Sequence, residues 1–382
     1  MEQGSLKQIS SGQMMRLLFI ALIALCAEAV PGIMGAGSAA WIAPLLVLLP
    51  VLGIQWLAFR PWKKRGADAS RSQPLAQKPS RRRGLETCLS RGAGKVLALL
   101  FLGFGLCLLV VNCARSTRRL IVADGTPVFF SAVVLILAVW MAAGSLPAFA
   151  RSCEIFYLIM AVGLLGIVLL GVGDIQVNYL LLIRSEDWMG LPRVALLLLG
   201  TASVGVYGLF LSGSVSLRAG DRARVMRWTA FFFLSLTGVL ILVIGTFGPA
   251  LAQMLERPFF QMVAGLGVTG AFQRLEALVS ALWLLGDVAL VGLLLFAVRK
   301  LWQAVSGRDT AWSVILAGIV AFAGGELLAG QQGLLRLSQE RLLPLGSLIV
   351  GAVAILLLFA MGMGKQKNVQ KSKKAVDNPG SK

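Results

Sequence analysis

Histidine is absent from the 382-residue chain, and charged residues are scarce. Without an imidazole, the chain lacks the usual general base and the commonest metal ligand. Its five cysteines form no Cys-x-x-Cys pair, so neither a disulfide framework nor a zinc site is indicated. We therefore expect no catalytic triad, no metal centre and no cofactor, and the sequence predicts that the protein is not an enzyme.

Charged side chains make up only 14% of the sequence, compared with about 25% in a soluble domain. Hydrophobic residues make up 57%, which predicts a polytopic membrane protein. The formal net charge of +19 could suggest a nucleic-acid partner, but much of it lies in residues 60–95 and 365–382. Basic segments beside apolar spans set topology and contact anionic lipid, so we expect membrane lipid and no nucleic acid as a partner.

Apolar runs of about 20 residues cross the bilayer core as helices. The sequence contains ten such runs, at residues 14–35, 40–59, 95–114, 126–146, 153–173, 192–212, 227–251, 275–298, 311–330 and 342–363. With the N-terminus in the cytoplasm, 27 of the 36 Lys and Arg residues fall on the cytoplasmic side and 9 on the other. This split predicts ten spans with both termini in the cytoplasm.

The spans divide the chain into two halves of five helices. The predicted parts are an N-tail 1–13, a first five-helix repeat 14–173 with a basic cytoplasmic loop 61–94, an extracytoplasmic connector 174–191, a second five-helix repeat 192–363 and a basic cytoplasmic tail 364–382. The loop is polar and rich in Pro, Ser and Gly, so we expect it to be flexible, and we expect the same of the tail.

The stretch ALCAEAVPGIMG, residues 24–35, has two interpretations. Small residues around Glu28 after an apolar run resemble a signal-peptidase site. A carboxylate followed by Pro31-Gly32 also suits a broken membrane helix around a binding site. Cleavage would leave nine spans and disturb the charge distribution, so we favour the broken helix.

Ionisable side chains inside membrane spans cost about 2.5 kcal/mol or more at the bilayer centre, and they therefore mark functional sites. Glu28, Asp287 and Glu326 lie inside predicted spans, while Arg115 and Asn112 near the end of the third span are weaker candidates. The alternative is that each side chain lies near a span end, where it snorkels or pairs with an arginine.

A second group of helix breakers, Gly205 and Gly208 around Tyr207, lies inside the sixth span. Together with Pro31-Gly32, it interrupts the first span of each half. Matching breaks are typical of inverted-repeat transporters, whose sites lie between broken helices. Tyr207 could donate a hydrogen bond to a ligand there. Alternatively, the glycines serve close helix packing.

Trp283 and Asp287 are four residues apart in the eighth span and share one helix face. An aromatic ring and a carboxylate that face one cavity would suit an ammonium group. Alternatively, Trp283 packs in the bundle and Asp287 pairs with a neighbouring residue.

Four further stretches occur in an order and at spacings that match a known family. They read QISSGQMMRLLFIALIA with AAWIAPLLVLL after it, GKVLALLFLGFGLCLLVVNCARSTRRLIVADGTPVFF, GSLPAFARSCEIFYLIM and LERPFFQMVAGLGVTGAFQRLEALVSALWLLGDVALVG. In these stretches the chain resembles the endospore germination permeases, the GerAB-like membrane subunits of nutrient germinant receptors.

The resemblance implies a member of the amino acid/polyamine/organocation superfamily, with a LeuT-like 5+5 inverted repeat and broken first and sixth helices. It also implies an inner-membrane protein of a spore-forming bacterium that associates with A-type and C-type receptor subunits. At the first break, where relatives carry a Gly-x-Gly-like turn, this chain has Glu28. A carboxylate there would repel a ligand carboxylate unless it is protonated or paired with a cation.

We therefore expect a receptor subunit that binds a small nutrient, such as an amino acid, between the first, third, sixth and eighth spans, and that triggers germination through its partner subunits. The expected ligand-binding residues are Glu28, Pro31, Gly32, Arg115, Gly205, Tyr207, Gly208, Trp283 and Asp287. The alternative is a proton- or cation-coupled amino acid or amine transporter of the same fold, in which Glu28 and Asp287 change protonation state. A membrane scaffold with a vestigial site is a third interpretation.

Overall fold

The computed structural model describes residues 8–28, 34–69, 89–90, 92–120, 127–216, 221–255, 257–265 and 275–377. Most of them are α-helical. The helices are α1 Ser11–Glu28, α2 Ala43–Ala69, α3 Ala93–Leu120, α4 Pro127–Ala143, α5 Leu146–Gly171, α6 Val177–Leu181, α7 Ser185–Ala202, α8 Asp221–Met254, α9 Pro258–Gly265, α10 Leu275–Ser306, α11 Trp312–Ala329, α12 Gln332–Leu337 and α13 Leu343–Asp377.

Shorter elements connect or extend these helices. Three segments are 3₁₀-helical, Met34–Ile42, Val172–Asp174 and Ser203–Ser214, and Ser338–Leu342 is a π-helix. Two short strands, β1 Ile9–Ser10 and β2 Val215–Ser216, form a parallel pair. This pair joins the start of α1 to the end of the second long 3₁₀ segment.

In the part of the chain that the structure describes, eight helical segments are long and apolar enough to cross a membrane. They are Gly35–Leu57, Gly94–Arg118, Leu146–Asp174, Ser185–Ser214, Asp221–Met254, Val279–Ser306, Trp312–Ala329 and Gln332–Ala360. Two shorter apolar helices, Ser11–Ala27 and Pro127–Ala143, lie at the first and fourth predicted spans. Each predicted span thus coincides with an apolar helix, and the protein is an all-α, multi-pass membrane protein.

Two helices continue beyond their predicted spans. Helix α2 runs to Ala69 and helix α13 runs to Asp377, so the parts of the predicted loop and tail at residues 61–69 and 364–377 are helical. A helix that is already nucleated in the membrane gains one hydrogen bond for each residue added, which favours its extension into water. The rest of the predicted loop up to residue 88, and residues 378–382, lie outside the described part of the chain.

The long helix α8 is kinked near its C-terminal end. Gly248 has a φ of +73°, a backbone conformation that side-chain-bearing residues rarely adopt, and Pro249 follows it. Proline lacks the N–H that would continue the ladder. The kink redirects the last turn of α8 towards the short helix α9, for which the sequence analysis predicted no element.

Helix α10 lies at the centre of the bundle. It packs against α1, α3, α4, α5, α11 and the 3₁₀ segment Ser203–Ser214. Lipid is as apolar as the side chains that it replaces, so close packing through small residues holds such helices together. A polar side chain in the buried middle of α10, such as Asp287, therefore lies inside protein and needs partners there.

Candidate functional site

The C-terminal half of α1 lies directly against the middle of α10. A Cβ atom on Gly286 would lie 2.5 Å from the Cβ of Ala24 and 3.4 Å from the carbonyl oxygen of Ile20, so a larger residue would force the helices apart. Trp283 and Asp287 flank Gly286 along α10. The contact therefore brings the two predicted site residues of the eighth span beside α1.

Helix α1 ends one turn beyond this contact, at Glu28. The side chain of Glu28, together with Pro31 and Gly32, lies outside the described residues. The roles predicted for these three residues therefore stay predictions. The backbone that leads to them is next to α10, as the sequence analysis expected for the first span.

Asp287 is buried, with 3% of its surface exposed, and two neighbouring residues of α3 face it. The Ser116 hydroxyl donates a hydrogen bond of 2.7 Å to its Oδ2, and Nη2 of Arg115 lies 4.0 Å from its Oδ1. A buried carboxylate is costly unless it has donors and an opposite charge close by. The structure thus brings Arg115 and Asp287 into one site.

A second carboxylate, Glu326 of α11, reaches the next residue of α3. The Thr117 hydroxyl lies 2.8 Å from Oε1 of Glu326 and 3.1 Å from the carbonyl oxygen of Cys113. Helix α11 can come this close because a Cβ on Gly325 would lie only 2.7 Å from the Cβ of Cys113. Gly325 thus lets α11 approach α3 closely enough for Glu326, the next residue, to reach Thr117.

These side chains form one group across three helices, which we call the polar cluster. It consists of Arg115, Ser116, Thr117, Asp287 and Glu326. Successive residues of an α-helix are about 100° apart around its axis, so three consecutive side chains of α3 can face both α10 and α11. Asn112 does not join the cluster, because its side-chain amide donates a 2.7 Å hydrogen bond to the carbonyl oxygen of Leu108.

Trp283 lies one helical turn from Asp287 and is fully buried. Its ring packs on Phe259 and Phe260 of α9, at centroid distances of 4.8 and 5.3 Å. This is the packing that the alternative interpretation of Trp283 predicted. Its Nε1–H nevertheless has no hydrogen-bond partner among the described residues. A buried donor without a partner costs about 1–3 kcal/mol, and a ligand with an acceptor group would remove that cost.

The predicted break in the sixth span is the 3₁₀ segment Ser203–Ser214, which is long for this type of helix. Its glycines pack on α1. A Cβ on Gly205 would lie 2.9 Å from Cδ1 of Leu22, and one on Gly208 would lie 2.6 Å from Cε of Met14. Both glycines therefore lie in close helix–helix contacts, as the alternative interpretation of the sixth span predicted.

Tyr207 of the same segment is buried against α3. Its hydroxyl donates a 2.8 Å hydrogen bond to the carbonyl oxygen of Phe101, and a Cβ on Gly105 would lie 3.1 Å from its ring. We call the contact of Gly205, Tyr207 and Gly208 with α1 and α3 the glycine joint.

Tyr207 of the glycine joint lies apart from the polar cluster, whereas Gly205 meets α1 at Leu22, between the α1 residues that contact α10. Phe101 and Arg115 lie about 21 Å apart along α3 at a rise of 1.5 Å per residue. The structure therefore divides the predicted site residues into two sets. Arg115, Trp283 and Asp287 lie together, while Tyr207 is already bonded to protein and lies nearer the other end of the bundle.

The polar cluster combines one guanidinium with two carboxylates, next to a free indole N–H. The carboxylates of this set can bind an ammonium group, and the indole N–H can donate a hydrogen bond to an acceptor on the same small molecule. Among the residues that the structure describes, no group of three His, Cys, Asp or Glu side chains could hold a metal ion.

Neither a scan of the chain against protein-family models nor a search of curated protein sequences found a match. The resemblance to the germination permeases therefore stays a prediction from the sequence stretches quoted above.

Proposed function

We propose that the protein is the membrane subunit of a spore nutrient germinant receptor of the germination permease family. In this proposal it binds a small nutrient, an amino acid in the first instance, beside the polar cluster. The observation that carries the proposal is Asp287, a carboxylate buried at the centre of an apolar bundle and held there by donors from α3. A charge in this position marks a functional site by default.

The proposed fold is the LeuT-like 5+5 inverted repeat with ten membrane helices. Two observations support it. The first helix of each half, α1 or α7, is followed by a non-α segment, Met34–Ile42 in one half and Ser203–Ser214 in the other. Both halves also contribute to the packing around α10. Interruptions at matching positions of the two halves are what an inverted repeat produces.

An amino acid suits the groups that face one another here. Its ammonium group can take a place beside Asp287, and its carboxylate can accept a hydrogen bond from Nε1 of Trp283. Arg115 adds a positive charge within 4.0 Å of Asp287. A ligand must leave the charges of Arg115 and Asp287 compensated, because an uncompensated buried charge is expensive. This requirement limits which ligands fit.

Nutrient binding must shift an equilibrium between two arrangements of the bundle in order to reach the A-type and C-type subunits. We propose that α1 transmits the shift, because Ile20 and Ala24 contact α10 while Leu22, Leu18 and Met14 of the same helix contact the glycine joint. Helix α1 also contacts β2. The protein would act in the inner membrane of a spore-forming bacterium with both termini in the cytoplasm. No covalent bond is formed or broken in this role, so it is not that of an enzyme.

Two buried or half-buried carboxylates, Asp287 and Glu326, favour a second candidate function. A proton- or cation-coupled transporter of the same fold could load and release a proton at these groups. Uptake of radiolabelled amino acids into proteoliposomes separates the two functions. Concentrative uptake by this chain alone would support the transporter and contradict a pure receptor.

The main test is ligand binding by the purified full-length chain in lipid nanodiscs, with the twenty amino acids as the panel. We expect at least one to bind and to raise the melting temperature. Asp287→Asn should weaken that binding at least tenfold. Glu340→Gln, which removes an exposed carboxylate on the π-helix, is the control and should leave the affinity unchanged. Failure of all twenty to bind, or equal affinities for both variants, would contradict the proposal.

The indole N–H of Trp283 allows a sharper test of the same site. Replacing Trp283 with the isosteric amino acid benzothienylalanine removes the N–H and keeps the shape of the ring. We expect an unchanged or slightly higher melting temperature without ligand, and binding weakened about fivefold, because one hydrogen bond is worth about 1 kcal/mol. Unchanged binding would show that the ligand does not use this donor.

A further inference from the structure

An open cleft of about 600 Å³ lies beside the start of α1, between α5 and α8 and far from the polar cluster. Its lining includes three arginines and three aromatic residues. They are Arg16, Arg224, Arg227, Tyr157, Trp228 and Phe231. None of these residues belongs to the proposed nutrient site.

The arginines bring more positive charge than the neighbouring carboxylates neutralise. Arg16 pairs with Glu154, and Arg224 donates a 2.8 Å hydrogen bond to Asp221, but both arginines keep more than a third of their side-chain surface exposed. Arg227 is exposed and has no ion pair or hydrogen bond with the described residues. The cleft can therefore receive an anion without losing an existing interaction.

Part of the wall of the cleft is aromatic. Tyr157 and Trp228 meet edge to face at 5.3 Å, and Phe231 stacks on Phe19 of α1 at 5.2 Å. Phe231 is 45% exposed, and Leu234 beyond it on α8 is 55% exposed. An exposed apolar surface thus follows the arginines along α8, towards the middle of this membrane-spanning helix.

The combination of an anion site with an adjoining apolar surface matches one class of molecule. The charge distribution of the sequence places the starts of α1 and α8 at the cytoplasmic face, where bilayers carry anionic lipid. Arginine binds phosphate through paired N–H groups, and Trp and Tyr favour the headgroup level. We propose that this cleft binds the phosphate of an anionic phospholipid from the cytoplasmic leaflet, with an acyl chain along Phe231 and Leu234.

The test is native mass spectrometry of the full-length chain in detergent, titrated with phosphatidylglycerol or with phosphatidylcholine. We expect phosphatidylglycerol to bind more tightly. Arg227→Gln should weaken phosphatidylglycerol binding about fivefold, as expected for one basic residue at a membrane surface, and should leave phosphatidylcholine binding unchanged. Arg308→Gln, at another exposed arginine, is the matched control and should change neither.

Two further arms separate the lipid from other anions. Phe231→Ser should weaken phosphatidylglycerol binding, because it removes the apolar surface without changing the charge. Inorganic phosphate and glycerol phosphate at the same concentration should not displace the lipid. Equal losses in Arg227→Gln and Arg308→Gln would overturn the proposal by showing a general charge effect. Displacement by inorganic phosphate would overturn it by showing a site for free phosphate.

Discussion

The polar cluster and the glycine joint both form where α3 meets other helices, but their close contacts differ in kind. At the cluster, a Cβ on Gly325 would meet the Cβ of Cys113 at 2.7 Å and the backbone nitrogen of Ala114 at 3.2 Å. At the joint, a Cβ on Gly205 would meet the tip of a leucine side chain, and one on Gly208 would meet the tips of Met14 and Leu18. The close contacts at the cluster are thus with backbone and Cβ atoms, whereas those at the joint are with the ends of side chains that can change rotamer.

The difference between the two kinds of contact suits two different tasks, ligand recognition and conformational change. A binding site needs side chains whose positions are fixed before the ligand arrives. A switch needs an element with two arrangements of similar energy, and flexible side-chain tips allow such rearrangement. We infer that the polar cluster is the fixed part of the protein and that the glycine joint is the part that moves when a ligand binds.

The largest effect is expected when the charge balance of the cluster is broken. Asp287→Ala removes the acceptor of Ser116 and a carboxylate that lies 4.0 Å from Arg115. We expect a loss of about 3–5 kcal/mol in the free energy of unfolding, as for other broken buried ion pairs. Titration with SDS in mixed micelles measures it. Glu340→Ala is the exposed control, and a similar loss in both variants would show that Asp287 is not held as described.

The next effect tests whether backbone contacts keep the cluster rigid. Gly325→Val should push α11 away from α3 and cost about 1–3 kcal/mol in unfolding free energy. The matched control is Gly238→Val in α8, where an added Cβ meets nothing within 4 Å. Both free energies come from the same SDS titration. Equal costs for the two variants would mean that the α3–α11 contact is loose, and the comparison with the joint would fail.

The sequence predicted the members of the polar cluster that carry charge, and it missed those that do not. Charged side chains such as Asp287 and Glu326 stand out in apolar spans because their cost is high. The hydroxyls of Ser116 and Thr117 gave no such signal, since hydroxyls in helices often bond to the carbonyl four residues back. Only the packing of three helices shows that these two reach carboxylates.

Hydropathy also predicted where the apolar helices lie, because each helix must satisfy its backbone within itself. It could not predict the register between helices distant in sequence. The bond from Tyr207 to Phe101 joins residues 106 positions apart, and the same tyrosine was predicted to face a ligand. The sequence could not distinguish the two, since one hydroxyl suits a ligand and a neighbouring carbonyl equally well.

The smallest effect on stability tests the mobility of the glycine joint. Tyr207→Phe removes one hydrogen bond to α3, and such bonds between membrane helices are worth about 0.6 kcal/mol. We expect hydrogen–deuterium exchange to become faster in residues 203–214 and to stay unchanged in residues 112–117, because the joint loosens while the cluster keeps its backbone contacts. Tyr157→Phe is the matched control, since no hydrogen bond of its hydroxyl is found among the described residues. Faster exchange in both segments would show that joint and cluster move as one unit, and then the site could not stay fixed while the joint switches.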